Sequence, residues 1–273
     1  MTPQSLLRAL FDKAVEVADP MRSLAAHLPP KPAGRVVVIG AGKASARMAE
    51  AVEAVWGPCE GLVITRYGYG RPCQGIKIVQ AAHPVPDAAG AAATAEMLAL
   101  LGGLGEGDFV LALISGGASA LLVAPVDGVS LAEKQAVNAA LLACGAPIAQ
   151  MNTVRKHLSR VKGGQLAAAA YPARVLALMI SDVPGDDMAF IGSGPTVGDA
   201  STPADALAIL EQWGAKVPTS ALAALGKPTG VIAPHNKRLS HITNRIYAAP
   251  AQSLAAAEAM AKAQGLRVVM LGD

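Results

Sequence analysis

The residues Phe109–Ile114 form an unbroken apolar run that leads directly into the loop Ser115-Gly116-Gly117-Ala118-Ser119 and then into a helical pattern. A buried strand followed by a small-residue loop and a helix is typical of one unit of a parallel sheet. Such a loop leaves backbone N–H groups unpaired at the carboxyl end of the strand, where they and the helix dipole attract anions. Its two glycines allow a ligand to approach the backbone, and its two serine hydroxyls add donors. We therefore predict an anion-binding loop at this position.

The same alternation of strand and helix patterns continues along most of the chain. Strands are predicted at residues 36–39, 62–65, 76–81, 110–114, 175–180 and 267–271. Helices are predicted at residues 5–18, 44–55, 87–101, 130–143, 152–161, 165–170 and 253–264, with another beginning at Thr202-Pro203. This order favours an α/β fold in which a mostly parallel sheet carries helices on both faces, in three α/β/α layers.

Composition excludes several classes of protein. With 273 residues, of which 52% are hydrophobic and 16% charged, the chain is long enough for one large α/β domain or two smaller ones. No apolar run reaches the roughly 18 residues needed to cross a membrane, and residues 1–8 lack the pattern of a signal peptide. The net charge of +3 and the scattered basic residues argue against a nucleic-acid partner and favour a small anionic ligand. Three cysteines without metal-ligand spacing indicate reduced thiols in a cytoplasmic protein.

Polar clusters follow five of the predicted strands, at the point where each strand ends. They comprise residues 40–43, 66–70, 83–87, 115–119 and 181–187. Ligands of parallel sheets bind beyond the carboxyl ends of the strands. A shared site at that edge of the sheet is therefore predicted.

In the first cluster, Lys43 follows Gly40 and Gly42 at the start of a predicted helix. The helix dipole disfavours a cation at that end, and a bound anion would compensate it. We predict that Lys43 contacts a phosphate, the alternative being an exposed surface lysine.

This glycine-rich segment matches neither familiar nucleotide motif. The dinucleotide fingerprint requires a third Gly or Ala where Ser45 stands, and an acidic residue after the next strand, where Arg66 stands. NAD is therefore disfavoured, although Arg66 leaves NADP open. The phosphate-binding P-loop requires Gly at the position of Val37 and Ser or Thr at that of Ala44.

Three carboxylates, those of Asp182, Asp186 and Asp187, follow the fifth strand. Carboxylates near phosphates hold Mg²⁺ or accept a proton from a hydroxyl, whereas the same residues also form ordinary turns. The next segment, Gly192-Ser193-Gly194, is either a second anion-binding loop or a plain turn.

Basic residues and a histidine complete the candidate set. Lys156 and Arg160 lie about one helical turn apart, near Arg155, and are able to bind a carboxylate or phosphate unless they form a solvated helix face. His83, between a strand and two prolines, is either catalytic or structural. His235 and His241 are interpreted as surface residues.

Together these segments resemble the class II glycerate kinases, the glycerate 2-kinase family whose C-terminal domain carries an MOFRL signature. The resemblance is carried, in order, by Val38-Ile-Gly-Ala-Gly-Lys-Ala44, Ala82-His-Pro-Val-Pro-Asp87, Ile114-Ser-Gly-Gly-Ala-Ser-Ala-Leu121, Asn152-Thr-Val-Arg-Lys-His-Leu-Ser159, Lys162-Gly-Gly164, Ile180-Ser-Asp-Val-Pro-Gly-Asp186 and Gly192-Ser-Gly-Pro-Thr196. It extends over most of the chain.

The resemblance implies a Rossmann-like N-terminal domain, a smaller C-terminal domain, and transfer of a phosphoryl group from ATP, with Mg²⁺, to the 2-hydroxyl of D-glycerate in the cleft between them. It implies that Lys43 lies near the transferred phosphate and that Asp182 and Asp186 form an acidic loop. Asp182 would hold Mg²⁺ or accept the proton of the hydroxyl, and Asp186 would perform the other task. Residues 1–250 would be the N-terminal domain. Residues 251–273 would begin a further α/β segment, so that the chain is a fragment, nearly inactive alone and a possible homodimer.

The residues predicted to bind nucleotide, phosphate or substrate are Gly40, Gly42, His83, Ser115, Gly116, Gly117, Ser119, Arg155, Lys156, Gly192, Ser193 and Gly194. Two other functions stay open. Family members are often labelled hydroxypyruvate reductases, which would require hydride transfer, and the failed dinucleotide fingerprint argues against this. The other is a non-catalytic module that binds a sugar phosphate.

Overall fold

The computed structural model describes residues 2–272. Its centre is one six-stranded sheet in the order β3-β2-β1-β4-β5-β6, and every neighbouring pair is parallel. The strands are β1 Val36–Ala41, β2 Glu60–Arg66, β3 Ile76–Ala81, β4 Phe109–Ile114, β5 Arg174–Ile180 and β6 Ile242–Ala248. The predicted α/β class is confirmed.

Helices connect the strands and cover the sheet. They are α1 Pro3–Ala18, α2 Pro20–Ser23, α3 Ser45–Trp56, α4 Ala88–Leu101, α5 Ala118–Leu121, α6 Leu131–Ala143, α7 Ile148–His157, α8 Gln165–Ala169, α9 Pro203–Gln212, α10 Thr219–Leu225 and α11 Pro250–Ala263. The starts of α6 and α9 carry the capping boxes of Ser130 with Glu133 and of Thr202 with Asp205, which satisfy N–H groups that the first turn leaves unpaired.

The sheet is apolar on both faces because both are covered. Strands β1 and β4 are buried along their whole length. On one face, Met48 and Val52 of α3 pack against the strands; on the other, Met97 of α4, Leu121 of α5 and Leu166 of α8 do so. A strand buried on both sides has no polar alternation, which explains the continuous apolar runs in the sequence.

Four helices, α6, α7, α9 and α10, form a separate core away from the sheet. Val137, Leu141, Val154, Leu210 and Leu225 pack together in it. We call these four helices the helical cluster. No sequence pattern predicted it, because periodicity marks an apolar helix face without showing which element covers that face.

The strand order reverses between β1 and β4. The chain leaves β1 toward β2 and leaves β4 toward β5, so the two loops diverge beyond the carboxyl ends of neighbouring strands. Such a switch point is where open α/β sheets bind ligands. The Lys43 and Ser115 loops are the two that meet there.

The structure corrects several predicted elements. Residues 267–271 pair with no strand, and Leu271 is 97% exposed, so the predicted last strand is wrong. An apolar run alone does not make a strand, because its backbone groups also need a neighbouring edge. The helix predicted at 152–161 is α7, which starts earlier and ends at His157, where Leu158 leaves helical geometry.

Three elements, α2, α10 and β6, were not predicted at all. The polar residues Thr243, Asn244 and Arg245 interrupt the apolar pattern of β6, so no strand pattern is visible in the sequence there. At the other end of the fold, Ser253 of α11 donates a hydrogen bond to the Ala14 carbonyl of α1 at 2.9 Å. The domain boundary predicted at residue 250 stays a prediction.

None of the helices in residues 2–272 is long and apolar enough to cross a membrane.

Candidate active site

The Lys43 loop and the Ser115 loop are bound to each other. The Lys43 N–H donates to the Gly116 carbonyl at 2.9 Å, and the Ala44 N–H donates to Ser115 Oγ at 3.1 Å. Ser45 Oγ donates to the Leu113 carbonyl at 2.9 Å and lies 3.1 Å from Ser115 Oγ. Ser115 is only 1% exposed. Its hydroxyl therefore fixes the distance between the loops, and the predicted direct contact of this hydroxyl with a ligand is not supported.

Three of the predicted glycines are required by close contacts. A Cβ on Gly42, whose φ is +142°, would lie 2.1 Å from Ser115 Oγ. A Cβ on Gly116 would lie 1.9 Å from Asp182 Oδ2. Only glycine leaves these spaces open, so the carboxylate of Asp182 lies directly against the Ser115 loop. Gly40 likewise packs against Leu113, where a Cβ would lie 2.5 Å from the Leu113 carbonyl oxygen.

Lys43 and Asp182 meet above this loop. Lys43 Nζ lies 3.5 Å from Asp182 Oδ2, and the side chains are 42% and 49% exposed. The ion pair offsets the unfavourable position of a lysine at the start of α3. Both groups remain accessible, so each is able to contact a ligand.

His83 borders the same point. Its Nε2 is 2.9 Å from where a Cβ of Gly117 would stand, and Lys43 Cγ is 3.2 Å from that position. Burial lowers the pKa of His83, and the charges of Lys43 and Arg66 lower it further. The imidazole is therefore neutral at pH 7. We call Lys43, His83, Gly116, Gly117 and Asp182 the Lys43–Asp182 centre.

A cavity of about 670 Å³ opens beside this centre, between α6 and the loop that contains His83. Gly117 and Ser119 border it on the side of the sheet, and Lys134, Arg155 and Lys162 reach it from the helical cluster and its connection. We call it the α6 cavity. Arg155 was predicted as a binding residue; Lys134 and Lys162 were not assigned a role.

The Gly192-Ser193-Gly194 loop joins the helical cluster to the sheet. Ser193 is fully buried; its Oγ donates to Asn152 Oδ1 at 3.0 Å and lies 2.6 Å from Ser119 Oγ. The carbonyls of Ser193 and Gly194 accept hydrogen bonds from Gly163 and Gly164. Of the two interpretations of this loop, the geometry favours a structural turn.

Lys156 binds a protein carboxylate instead of facing a ligand. It is 4% exposed and is paired with Asp199, which also accepts hydrogen bonds from Ser201. Arg160 lies beyond the end of α7, 3.8 Å from the exposed Asp127. The shared helix face predicted for Lys156 and Arg160 is therefore wrong, because the helix stops at His157.

The acidic loop contributes one carboxylate to the centre. Asp182 contacts Lys43, whereas Asp186 lies in a turn with φ +54° and Asp187 accepts a hydrogen bond from Ala189 N. Within residues 2–272 no three His, Cys, Asp or Glu side chains are grouped to hold a metal ion. A single accessible carboxylate suits Mg²⁺ that is bound mainly through substrate phosphates.

Of the two cavity lysines, only Lys134 had a weak sequence signal of burial. Lys134, Val137 and Leu141 are spaced as neighbours on one face of α6, and all three are buried. A lysine on an apolar stripe was therefore visible. Lys162 belongs to a motif of the resemblance, but nothing in its spacing indicated burial.

Comparison with known proteins agrees with this architecture. The model of the family "Domain of unknown function (DUF4147)" matches residues 6–226. A "Putative hydroxypyruvate reductase" of Agrobacterium vitis is 49% identical over 277 residues, covering 100% of this chain and 62% of that protein. The D-glycerate 2-kinase of Thermotoga maritima is 42% identical over 233 residues, covering 83% of this chain and 56% of that protein.

A solved structure is also similar. The crystal structure of a glycerate kinase from Thermotoga maritima superposes with a TM-score of 0.87 at 38% identity, covering 98% of this chain and 64% of that one. The chain thus spans less than two thirds of the length of these relatives. It belongs to the DUF4147 family, the N-terminal region of the class II glycerate kinases.

Proposed function

We propose that this chain forms part of an ATP-dependent kinase that phosphorylates D-glycerate at its 2-hydroxyl. The observation that carries the proposal is the Lys43–Asp182 pair, which lies at the switch point of the sheet with both side chains accessible. Phosphoryl transfer needs positioning and charge neutralisation more than covalent chemistry. A cation and a carboxylate held 3.5 Å apart on rigid loops supply both.

Lys43 and Asp182 carry the charges that this mechanism needs. The ammonium of Lys43 binds the phosphoryl group in flight and neutralises its charge. The carboxylate of Asp182 accepts the proton of the 2-hydroxyl or holds Mg²⁺. The remaining task is assigned to Asp186, which lies outside the centre in the turn of the same acidic loop. A Mg²⁺ ion held there would neutralise charge on the phosphate oxygens. Gly116 and Gly117 let these groups approach the backbone.

The hydride-transfer alternative fits the geometry less well. A dinucleotide pyrophosphate binds free N–H groups at the start of the helix after β1. Here the N–H groups of Lys43 and Ala44 are already bound to Gly116 O and Ser115 Oγ. The name of the Agrobacterium vitis relative keeps this alternative under test.

One experiment separates the three functions. The longest gene product that carries this sequence is incubated with ATP, Mg²⁺ and D-glycerate, and the product is identified by mass spectrometry and phosphorus NMR. We expect 2-phosphoglycerate and ADP in equal amounts. Oxidation of NADH or NADPH by hydroxypyruvate would instead support a reductase, and ligand binding without turnover would support a non-catalytic module.

We also propose a cytoplasmic location. Cys59, Cys73 and Cys144 are all free, and free thiols persist in a reducing compartment.

A further inference from the structure

The α6 cavity holds three basic side chains that line it from different directions. Lys134 lies on α6, Arg155 on α7 and Lys162 on the connection to α8. Lys134 is 3% exposed and Lys162 is 1% exposed. Charged side chains buried to this extent are normally paired with an opposite charge.

The three basic side chains have N–H donors that make no hydrogen bond within the described residues. Lys134 Nζ donates to the Leu158 carbonyl at 2.8 Å, and Lys162 Nζ donates to the carbonyls of Ser119 and Leu122 at 2.9 and 3.1 Å. Arg155 Nε donates to Asn138 Oδ1 at 3.0 Å. An ammonium has three N–H donors and a guanidinium has five, so every one of these groups retains hydrogen-bonding capacity.

No protein carboxylate compensates their charge. Over residues 2–272, the ion pairs include none with Lys134, Arg155 or Lys162, and no Asp or Glu lines the cavity. Burial and mutual repulsion lower the pKa of Lys134 to about 7, and also lower the pKa of Lys162. The neighbouring Lys156, by contrast, is paired with Asp199. An anion in the cavity would supply the missing charge.

The other residues that line the cavity indicate the chemical nature of the uncharged part of that anion. Pro84, Val85 and Pro86 form one wall, and Ala136 and Leu142 of α6 lie opposite. About 670 Å³ is within the usual range for the site of a whole cofactor or nucleotide, and glycerate would fill only a small part of it. A ligand that matches this lining combines an apolar portion with several negative charges.

We propose that the α6 cavity binds the nucleoside triphosphate, with its phosphate chain on Lys134, Arg155 and Lys162 and its base between α6 and the His83–Pro86 loop. The assignment rests on the proposed kinase function. The cavity borders the Lys43–Asp182 centre at His83 and Gly117, so the chain of phosphates would end at Lys43. This adds Lys134 and Lys162 to the binding residues.

The test measures ATP affinity by isothermal titration calorimetry on the full gene product. Arg155→Ala removes one cation, Ala136→Trp narrows the cavity without changing charge, and Arg160→Ala is the matched control outside it. We expect the Kd for ATP to rise at least about tenfold in Arg155→Ala, as loss of charged hydrogen bonds does, and in Ala136→Trp, because the indole occupies space that the ligand needs. In Arg160→Ala it should stay within about twofold on the same scale. Circular dichroism checks that each variant folds.

A second readout reports charge directly. Anion binding favours the protonated form of Lys134, which is faced by Arg155, Lys162 and the imidazole of His83. ATP binding near pH 7.5 should therefore take up protons, seen as a dependence of the heat on the ionisation enthalpy of the buffer. Lys134→Met should reduce that uptake.

Several outcomes would overturn the assignment. They are an unchanged Kd for ATP in Arg155→Ala and Ala136→Trp, no ATP binding by the wild type, or a loss of D-glycerate binding instead. Inorganic phosphate serves as a further probe: if it binds as tightly as ATP, the base has no site here and the assignment fails. ATP bound in this cavity without phosphorylation of glycerate would remove the kinase proposal and leave this one standing.

Discussion

Lys43 and Asp182 show how single residues acquire their roles. They are 139 positions apart in the chain, yet their charged atoms lie 3.5 Å from each other. The start of a helix disfavours a cation, and the Asp182 carboxylate, which lies against Gly116, compensates the charge of Lys43 there. The pair remains half-exposed and so keeps its capacity for a ligand.

Lys43→Ala tests the cation. We expect kcat for glycerate phosphorylation to fall on the order of 10²-fold or more, as loss of one preorganised charge does, with little change in stability. Lys77→Ala is a matched control, since Lys77 is 57% exposed and paired with Glu96. ADP release in a coupled assay gives the rate. A kcat within about threefold of wild type on that scale would mean that Lys43 takes no part in the chemistry.

Asp182→Asn separates the two roles of the carboxylate. The substitution keeps the shape and removes the charge. If Asp182 holds Mg²⁺, high Mg²⁺ should partly restore kcat; if it is the base, Mg²⁺ should have no effect and the pH–rate profile should lose its acidic limb. The measurement is kcat against Mg²⁺ concentration and pH. An unaltered rate under all these conditions would exclude Asp182 from the site.

Because the pKa of Lys134 is lowered in the folded chain, we expect the stability of the ligand-free chain to depend on pH. Its pKa is about 7 in the folded chain and 10.5 ordinarily, so between these values the unfolded chain binds more protons and stability rises with pH. From pH 7 to pH 9 the contribution is on the order of 2 kcal/mol, and it is lost as the pH falls toward 7.

Urea unfolding at both pH values should show a smaller rise in Lys134→Met than in wild type. The comparison between the two proteins cancels the opposite contribution of Cys73, whose burial raises the pKa of its thiol to about 11. Equal rises would show that folding does not lower the pKa of Lys134.

At the scale of elements, the two loops at the switch point act as one unit. Backbone and serine hydrogen bonds join the end of β1 to the end of β4, and Gly42 lets them approach. These bonds use the N–H groups of Lys43 and Ala44, which the loop after β1 would otherwise offer to a phosphate. The loop pair therefore positions Lys43 and Asp182, whose side chains stay accessible.

Gly42→Ala should break this contact. The added Cβ would meet Ser115 Oγ at 2.1 Å with φ at +142°, and we expect a loss of about 1–3 kcal/mol in the free energy of unfolding. Gly103→Ala is the control, because nothing lies within 4 Å of a Cβ there. Urea denaturation measures both. Equal stability of the two variants would show that the loops do not depend on each other.

At the scale of the whole molecule, an apolar stripe on α1 remains uncovered. Leu7, Phe11 and Val15 are spaced four residues apart and are 68%, 63% and 52% exposed. Contiguous exposed apolar surface favours association, so we expect this chain to form dimers or larger species as its concentration rises.

Phe11→Glu should weaken that association by at least about tenfold, since one buried aromatic often dominates an interface. Val55→Glu, on α3 and 51% exposed, is the control and should leave it unchanged. Sedimentation velocity over a range of concentrations provides the measurement. A chain that stays monomeric at every concentration would contradict the prediction.

The sequence by itself determined the local structure and its order. Apolar runs such as β4 and β5, the capping boxes of α6 and α9, and the small-residue loops after the strands all follow from neighbours in the chain. Because parallel strands share one carboxyl edge, the sequence also placed the candidate residues on that edge.

Only the tertiary structure decided which groups face each other. The strand order, the pairing of Lys43 with Asp182 and of Lys156 with Asp199, and the enclosure of Lys134 and Lys162 beside a cavity all join distant segments. The sequence around a helical lysine does not show whether its ammonium group faces water, a carboxylate or a cavity. The group that compensates the charge comes from a distant segment, which only the packing of the fold brings into contact. The prediction of a strand at residues 267–271 was wrong for the same reason. Whether a sheet edge is available for pairing depends on the fold and not on the segment itself.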